Sequence, residues 1–220
     1  MYGITVAENL KSRVPAVRLF CIECAVEYLP RADKLWEAME QKAAGLASTL
    51  KTEEISSLPA IRASRNAYKA CGKDPARYRL SAEALLRRVV KGAGLYQICN
   101  VVDLLNLVSV STGFSIGGYD AEKICGPVEF GIGAAGEPYQ GIGRGELNIE
   151  GLPVFRDEKG AFGTPTSDSE RTCVDENTRR FLMIIIDFGG SAALEEAGQM
   201  ACDLLRQYAA AQSIEIKIVE

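Results

Sequence analysis

The chain has no histidine. That absence excludes Ser-His-Asp and Cys-His catalysis, histidine general bases and histidine metal ligands. Any chemistry must rest on carboxylates, cysteine, lysine, tyrosine, backbone groups or the substrate itself. Long apolar runs are missing as well. The longest, Phe181 to Ile186, has the length of a strand and falls far short of the ~18 residues of a membrane span. The opening segment MYGITVAENLKSRV carries no apolar stretch of the kind a secretory leader needs. Seven cysteines without an export signal point to reduced thiols and a cytoplasmic location. A phosphate-binding P-loop is absent, because Gly72-Lys73 is followed by Asp74 rather than Ser or Thr. Gly131-Ile-Gly133-Ala-Ala-Gly136 has the spacing of a dinucleotide fingerprint, but Glu137-Pro138-Tyr139 stand where a helix must open. Cys21 and Cys24 form a C-x-x-C inside a strand, without a second pair, and read as core residues. No cofactor and no metal are expected.

What is present is the composition of an ordinary globular protein: 220 residues, 47% hydrophobic and 25% charged. The net charge of −4 hides a division along the chain. Residues 1–61 are net −1, residues 62–91 net +7 and residues 92–220 net −10. The basic segment comprises Arg62, Arg65, Lys69, Lys73, Arg77, Arg79, Arg87, Arg88 and Lys91. It reads either as a phosphate-binding face or as a solvated helical surface bridged to the acidic remainder.

Patterning divides the chain into helices first and strands later. PAVRLFCIEC (15–24) reads as a strand, followed by a helix from Asp33 with Leu35, Met39, Ala43 and Leu46 on one face. TEEISSLPAIRASRN reads as a loop leading into a short helix, Asp74-Pro75 starts a turn, and Ser81 caps the helix SAEALLRRVVKG. NVVDLLNLVSVST (100–112) is apolar almost all round, which implies a buried helix, with Asp103 and Asn106 on one face of it. Such buried polar groups either fasten neighbouring loops or line a pocket. From Gly113 to Gly163 dense glycines separate short strands, residues 164–180 form a polar loop, and FLMIIIDF is a buried central strand. Ser191 caps a last helix to about Ala211, and SIEIKIVE closes the chain as an alternating strand.

Three stretches resemble one family. They are Asp74-Pro-Ala-Arg-Tyr-Arg-Leu-Ser-Ala-Glu-Ala-Leu-Leu-Arg-Arg, then Asn100-Val-Val-Asp-Leu-Leu-Asn through Thr112-Gly113 to Tyr119-Asp120, then Asp168-Ser-Glu-Arg-Thr with Thr178. Together they resemble the editing module of the phenylalanyl-tRNA synthetase beta chain, the B3/B4 domain, in its free-standing form. The resemblance implies an α+β fold: a Greek-key, barrel-like and mostly antiparallel sheet decorated with helices. It also implies hydrolysis of a mischarged aminoacyl-tRNA ester, with tRNA or aminoacyl-tRNA as partner and no aminoacylation by this chain alone. It places the family's pocket asparagine on Asn106 and its side-chain-reading glutamate on Glu170. The pocket histidine of the bacterial synthetases falls on Gly117, a departure that leaves the site without that group. Gly131, Gly133 and Gly136 are candidate backbone donors to an oxyanion. Asp103 is a further candidate pocket residue, and the basic segment a candidate RNA face. The expected organisation is one domain over 1–220: a core at 60–188, an N-terminal strand and helix at 1–59, and a C-terminal helix and strand at 189–220. Two alternatives stand beside this reading: a non-catalytic RNA-binding module, and a hydrolase or binder of small amino-acid derivatives.

Overall fold

A computed structural model describes residues 3–220. Strand β1 (Ile4–Val6) and the one-turn helix α1 (Glu8–Lys11) precede β2 (Arg18–Ala25) and α2 (Asp33–Thr49). Helices α3 (Pro59–Ala70), α4 (Ser81–Val90) and α5 (Asn100–Thr112) follow. The strand-rich half holds β3 (Ser115–Asp120), β4 (Val128–Ile132), β5 (Gln140–Gly141), β6 (Gly145–Glu146), β7 (Pro153–Asp157) and β8 (Gly160–Gly163). The chain ends with β9 (Arg180–Asp187), α6 (Ala193–Ala209) and β10 (Gln212–Val219). The fold is α+β, as the sequence implies.

The run at 181–186 is apolar at every position because β9 is covered on both faces. It is an inner strand of a fully antiparallel sheet ordered β10-β2-β9-β3. One face, with Phe20, Ile22, Phe181, Met183 and Ile185, packs on α5 and α6. The other, with Leu19, Cys21, Leu182, Ile184 and Ile186, meets Ile4, Val128, Phe130 and Phe155 of a second sheet ordered β1-β4-β7-β8. The result is three layers: helices, sheet and sheet. Only β1 and β4 pair in parallel; β5 and β6 form a separate ribbon. Among the described residues the strands form these two open four-stranded sheets rather than one closed barrel. Cys21 and Cys24 point to opposite faces of β2 and into different cores, so they do not act as a pair. Burial pushes both thiols up to about 12.

Helix α5 is apolar nearly all round because it lies between the first sheet, α6, α2 and α4. Its first residue, Asn100, is buried and spends its amide completely. Its Oδ1 accepts the Leu29 N–H at 2.9 Å, while its Nδ2 donates to Glu27 O at 2.8 Å and Tyr208 O at 2.9 Å. One side chain thus ties α5 to the loop after β2 and to the end of α6. The far end stops at Gly113, which adopts φ 80° as the left-handed cap. Asp33 and Ser81 are each the first helical residue, one position inside the cap, whereas Ser191 Oγ does accept the Ala193 N–H at 3.1 Å. Among the described residues, no helix is long and apolar enough to cross a membrane.

Asn100→Ala leaves the Glu27 and Tyr208 carbonyls and the Leu29 N–H, all part-buried, without this partner. It is expected to cost about 2–4 kcal/mol, read from the urea midpoint at unchanged m-value.

Candidate functional site

A pocket of about 320 Å³ opens between α5, β3 and the loop after β8. Its walls are apolar (Val102, Leu105, Ile116, Val174), and Asn106, Asp168, Thr164 and Ser167 bring polar groups to it. Strand alternation decides which residues of β3 face it: Ile116 and Gly118 do, while Tyr119 points into the core between the sheets. Gly118 lets α5 approach closely, since a Cβ there would lie 2.6 Å from Leu105 Cδ1 and push that side chain aside.

The loop at 164–169 looks like a surface loop by composition but is largely buried, with Thr164, Thr166 and Ser169 sequestered. Three tyrosine hydroxyls from three elements hold it. Tyr68 of α3 bonds Thr166 Oγ1 at 2.8 Å, Tyr119 of β3 donates to Asp168 Oδ1 at 2.9 Å, and Tyr139 donates to Ser167 O at 2.6 Å. The N–H of Ser81, at the start of α4, donates to Pro165 O at 2.8 Å. Thr164 Oγ1 closes the turn by accepting the N–H groups of Thr166 and Ser167. These bonds fix Asp168 at the pocket wall. Burial pushes its carboxyl up to about 7, against the Tyr119 hydroxyl and the Gly118 N–H, which favour the charged form.

Most polar residues of the family-like stretches are spent on the fold. Asp103 Oδ1 accepts the Ile98 N–H at 2.9 Å and fastens the entry to α5; burial pushes it up to about 6. It belongs to the helix start rather than to the pocket wall. Asp120 accepts from Glu122 N–H at 3.0 Å and from Thr178 Oγ1 at 2.9 Å. Thr112 returns its hydroxyl to Val108 O at 2.8 Å. Asn106 differs: it is half-buried at the pocket, and its side chain has no hydrogen-bond partner among the described residues.

The other candidates lie elsewhere. Glu170 is exposed on the 3₁₀ turn Glu170–Thr172 and does not line this pocket; the acid that does is Asp168, two residues earlier. Gly117 faces the inter-sheet core, where a side chain would overlap the Tyr119 hydroxyl, as it would at Gly163. Gly131 lies in β4 against Ala7 and Arg156 of the second sheet. Gly133 donates its N–H to Leu152 O, and its α-carbon packs on the Ile149 carbonyl. Gly136 is exposed in a turn at φ 69°. None of the three presents an N–H to the pocket with Asn106. Asp168 was not among the site residues read from the sequence, where it stands only at the head of the Asp168–Thr172 stretch. Its role follows from Tyr119, a buried phenol that needs an acceptor.

The basic segment is divided by the fold. Arg65 and Arg87 converge on the buried Glu83 at 2.8 and 2.9 Å, so their charge is used internally. Arg62, Lys69, Arg77, Arg79 and Lys91 are exposed. Lys73 and Arg77 flank the Tyr78 ring, and Arg88 stacks 3.8 Å over Tyr96.

This architecture defines a helix-backed, two-sheet α+β module with a pocket of about 320 Å³ against its central helix. Residues 63–210 match the B3/4 domain family, and the chain belongs to it. The matched span runs through α6, beyond the 60–188 core read from the sequence, and leaves β10 outside. Among solved structures, the chain is similar to an N-terminal fragment of the phenylalanyl-tRNA synthetase beta-subunit from Pyrococcus horikoshii. The identity is 16% and the TM-score 0.48; the match covers 99% of this chain and 50% of that fragment. The chain therefore spans half the length of that structure. No curated protein matches it.

Because the folded state holds the Asp168 proton more tightly than an unfolded aspartate, its stabilisation is complete below pH 3.8 and is lost as pH rises through about 7. Asp168→Asn removes that slope, so the gap between variant and wild-type urea midpoints widens in favour of the variant from pH 4 to 8. Tyr119→Phe removes a donor to the charged form and should raise the Asp168 titration further, followed by carboxyl carbon NMR.

Proposed function

We propose that this chain binds aminoacyl-tRNA and hydrolyses a mischarged aminoacyl ester in the pocket between α5 and β3. Membership of the B3/4 domain family and the resemblance of its motifs to a synthetase editing module support the reading. The observation that carries it is the pairing, at one pocket, of an asparagine amide without a partner and a carboxyl near neutrality.

In this reading the amino-acid side chain enters the apolar pocket, whose volume of about 320 Å³ sits at the small end of ligand cavities. The Asn106 amide donates to the ester carbonyl as negative charge develops on it. Deprotonated Asp168 takes a proton from the attacking water. The water oxygen adds to the carbonyl carbon, the ester C–O bond breaks, and the ribose oxygen leaves with a proton. Free amino acid and tRNA are the products. An aminoacyl ester is an activated acyl group with a vicinal ribose hydroxyl, so orientation supplies much of the acceleration and no histidine is needed. Glu170 does not line the pocket and has no part in this reading. Ile98 and Ile142 line the mouth while 52% and 47% exposed, an apolar rim suited to a terminal nucleoside. The exposed cations of residues 62–91 serve the phosphate backbone. A second reading, RNA binding without turnover, is favoured by the distance of Gly131, Gly133 and Gly136 from the pocket, which leaves the oxyanion to Asn106.

The test is deacylation of tyrosine carried on phenylalanine-specific tRNA. Wild type should clear it, and Asn106→Ala and Asp168→Asn should each slow clearance about 10²-fold. Glu170→Ala should leave the rate unchanged. Salt-sensitive tRNA binding without clearance by wild type would establish the second reading instead. Arg77→Ala with Arg79→Ala should weaken tRNA binding and lower the slope of log K against log salt by about two.

A further inference from the structure

The last strand is an edge of the central sheet, and it is unusually apolar for an edge. β10 pairs with β2 on one side only, with Ile216 opposite Ile22 and Lys217 opposite Cys21. Its side chains alternate. Ile214, Ile216 and Ile218 point to the helix side; Glu215, Lys217 and Val219 point toward the second sheet, where Val219 joins the core. α6 covers β2 but leaves Ile216 and Ile218 open, 50% and 39% exposed, two of the six large hydrophobics exposed among the described residues. Glu215, Lys217 and the register shift guard one face and the start of this edge, and the isoleucines leave the other face apolar and open. A register shift between Gln212 and Glu215, with Ser213 at φ 51°, ends regular pairing at the strand start. The straight segment is therefore Ile214–Val219.

We infer that this edge is the seat of a second copy of the chain, joined by antiparallel β10–β10 pairing about a two-fold axis at Ile216. The register follows from the sequence of the strand. Centred on Ile216, the two-fold sets Ile216 against its own copy and Ile214 against Ile218 on the helix face. On the other face it sets Glu215 against Lys217, twice, in addition to the contacts each already makes in its own chain, Lys217 Nζ donating to Ile4 O at 3.2 Å. Centring on Glu215 or Lys217 sets like charges directly opposite, and centring on Ile218 puts Ile216 against Glu220. Only the Ile216 register satisfies both faces, since opposite charges and apolar pairs stabilise cross-strand neighbours and like charges oppose them. The two four-stranded sheets then become one continuous eight-stranded sheet, and each open edge is closed by the other. An isologous contact of this kind is self-limiting, because the same edge is used on both copies. The pairing is independent of the pocket, which lies beside β3 at the opposite edge of the sheet. Both pockets stay open in the dimer.

The test is solution mass by light scattering and sedimentation over micromolar concentrations. Wild type should have twice the 23.8 kDa chain mass. Glu215→Lys and Lys217→Glu should each weaken dimerisation about tenfold or more, by turning opposite charges into like ones. Mixing the two single-reversal chains should restore association as a heterodimer, in which each reversed charge again meets its opposite, a rescue that damage within either chain would not produce. Ile216→Lys should give a folded monomer, checked by circular dichroism. A wild-type monomer throughout, or single reversals as dimeric as wild type, would overturn the assignment. Deacylation measured on the same samples reports on the pocket separately.

Discussion

Three buried tyrosine hydroxyls hold the loop that makes the pocket. Tyr68, Tyr119 and Tyr139 come from a helix, from a sheet edge and from the segment before the β5–β6 ribbon, and they converge on Thr166, Asp168 and Ser167. A buried phenol without an acceptor costs about 1–3 kcal/mol, so each of these contacts is kept for the stability of the whole domain. The loop therefore has the rigidity of the core although its composition is that of a surface segment. Asp168 inherits that rigidity, and the same burial moves its titration toward neutrality. Stability and poised chemistry share one cause here.

Tyr119 shows how closely sequence and site are linked. Its ring fills the space over Gly117 and Gly163 and meets Phe162 edge-on at 5.0 Å. A side chain at Gly117 cannot coexist with that ring. Tyr119, itself part of the family-like stretch that ends at Tyr119-Asp120, reaches the pocket loop from behind. Position 117 faces the inter-sheet core, and the titratable group at the pocket wall is the Asp168 carboxyl.

Much of the fold was legible. The all-apolar run at 181–186 marked a doubly covered strand, the nearly uniform apolarity of 100–112 marked a buried helix, and alternation marked β10. The pairing of β1 with β4 was not, because a three-residue strand leaves no periodic signal. Nor was the arrangement as two open sheets, which depends on which strands end as edges. At the site, Asn106 was legible because an amide inside an apolar helix must either be satisfied or be used. Glu170 illustrates the limit: motif alignment locates an acidic stretch, but the direction in which a side chain leaves a 3₁₀ turn is decided by packing. The glycines of 131–136 carry the spacing of a ligand loop, yet packing and turn geometry account for Gly131, Gly133 and Gly136. The basic segment separates for a similar reason, since the buried Glu83 draws two of its arginines inward.

The central claim is that the aminoacyl group sits between Asn106 and Asp168. The most direct measurement is NMR titration of the protein with a hydrolysis-resistant 3′-aminoacylamino adenosine. The account predicts that the Asn106 side-chain amide and the backbone amides of Ile116, Gly118 and Asp168 shift together and saturate with one affinity. Shifts that instead cluster at residues 131–136 or around Glu170, with Asn106 unmoved, would contradict it.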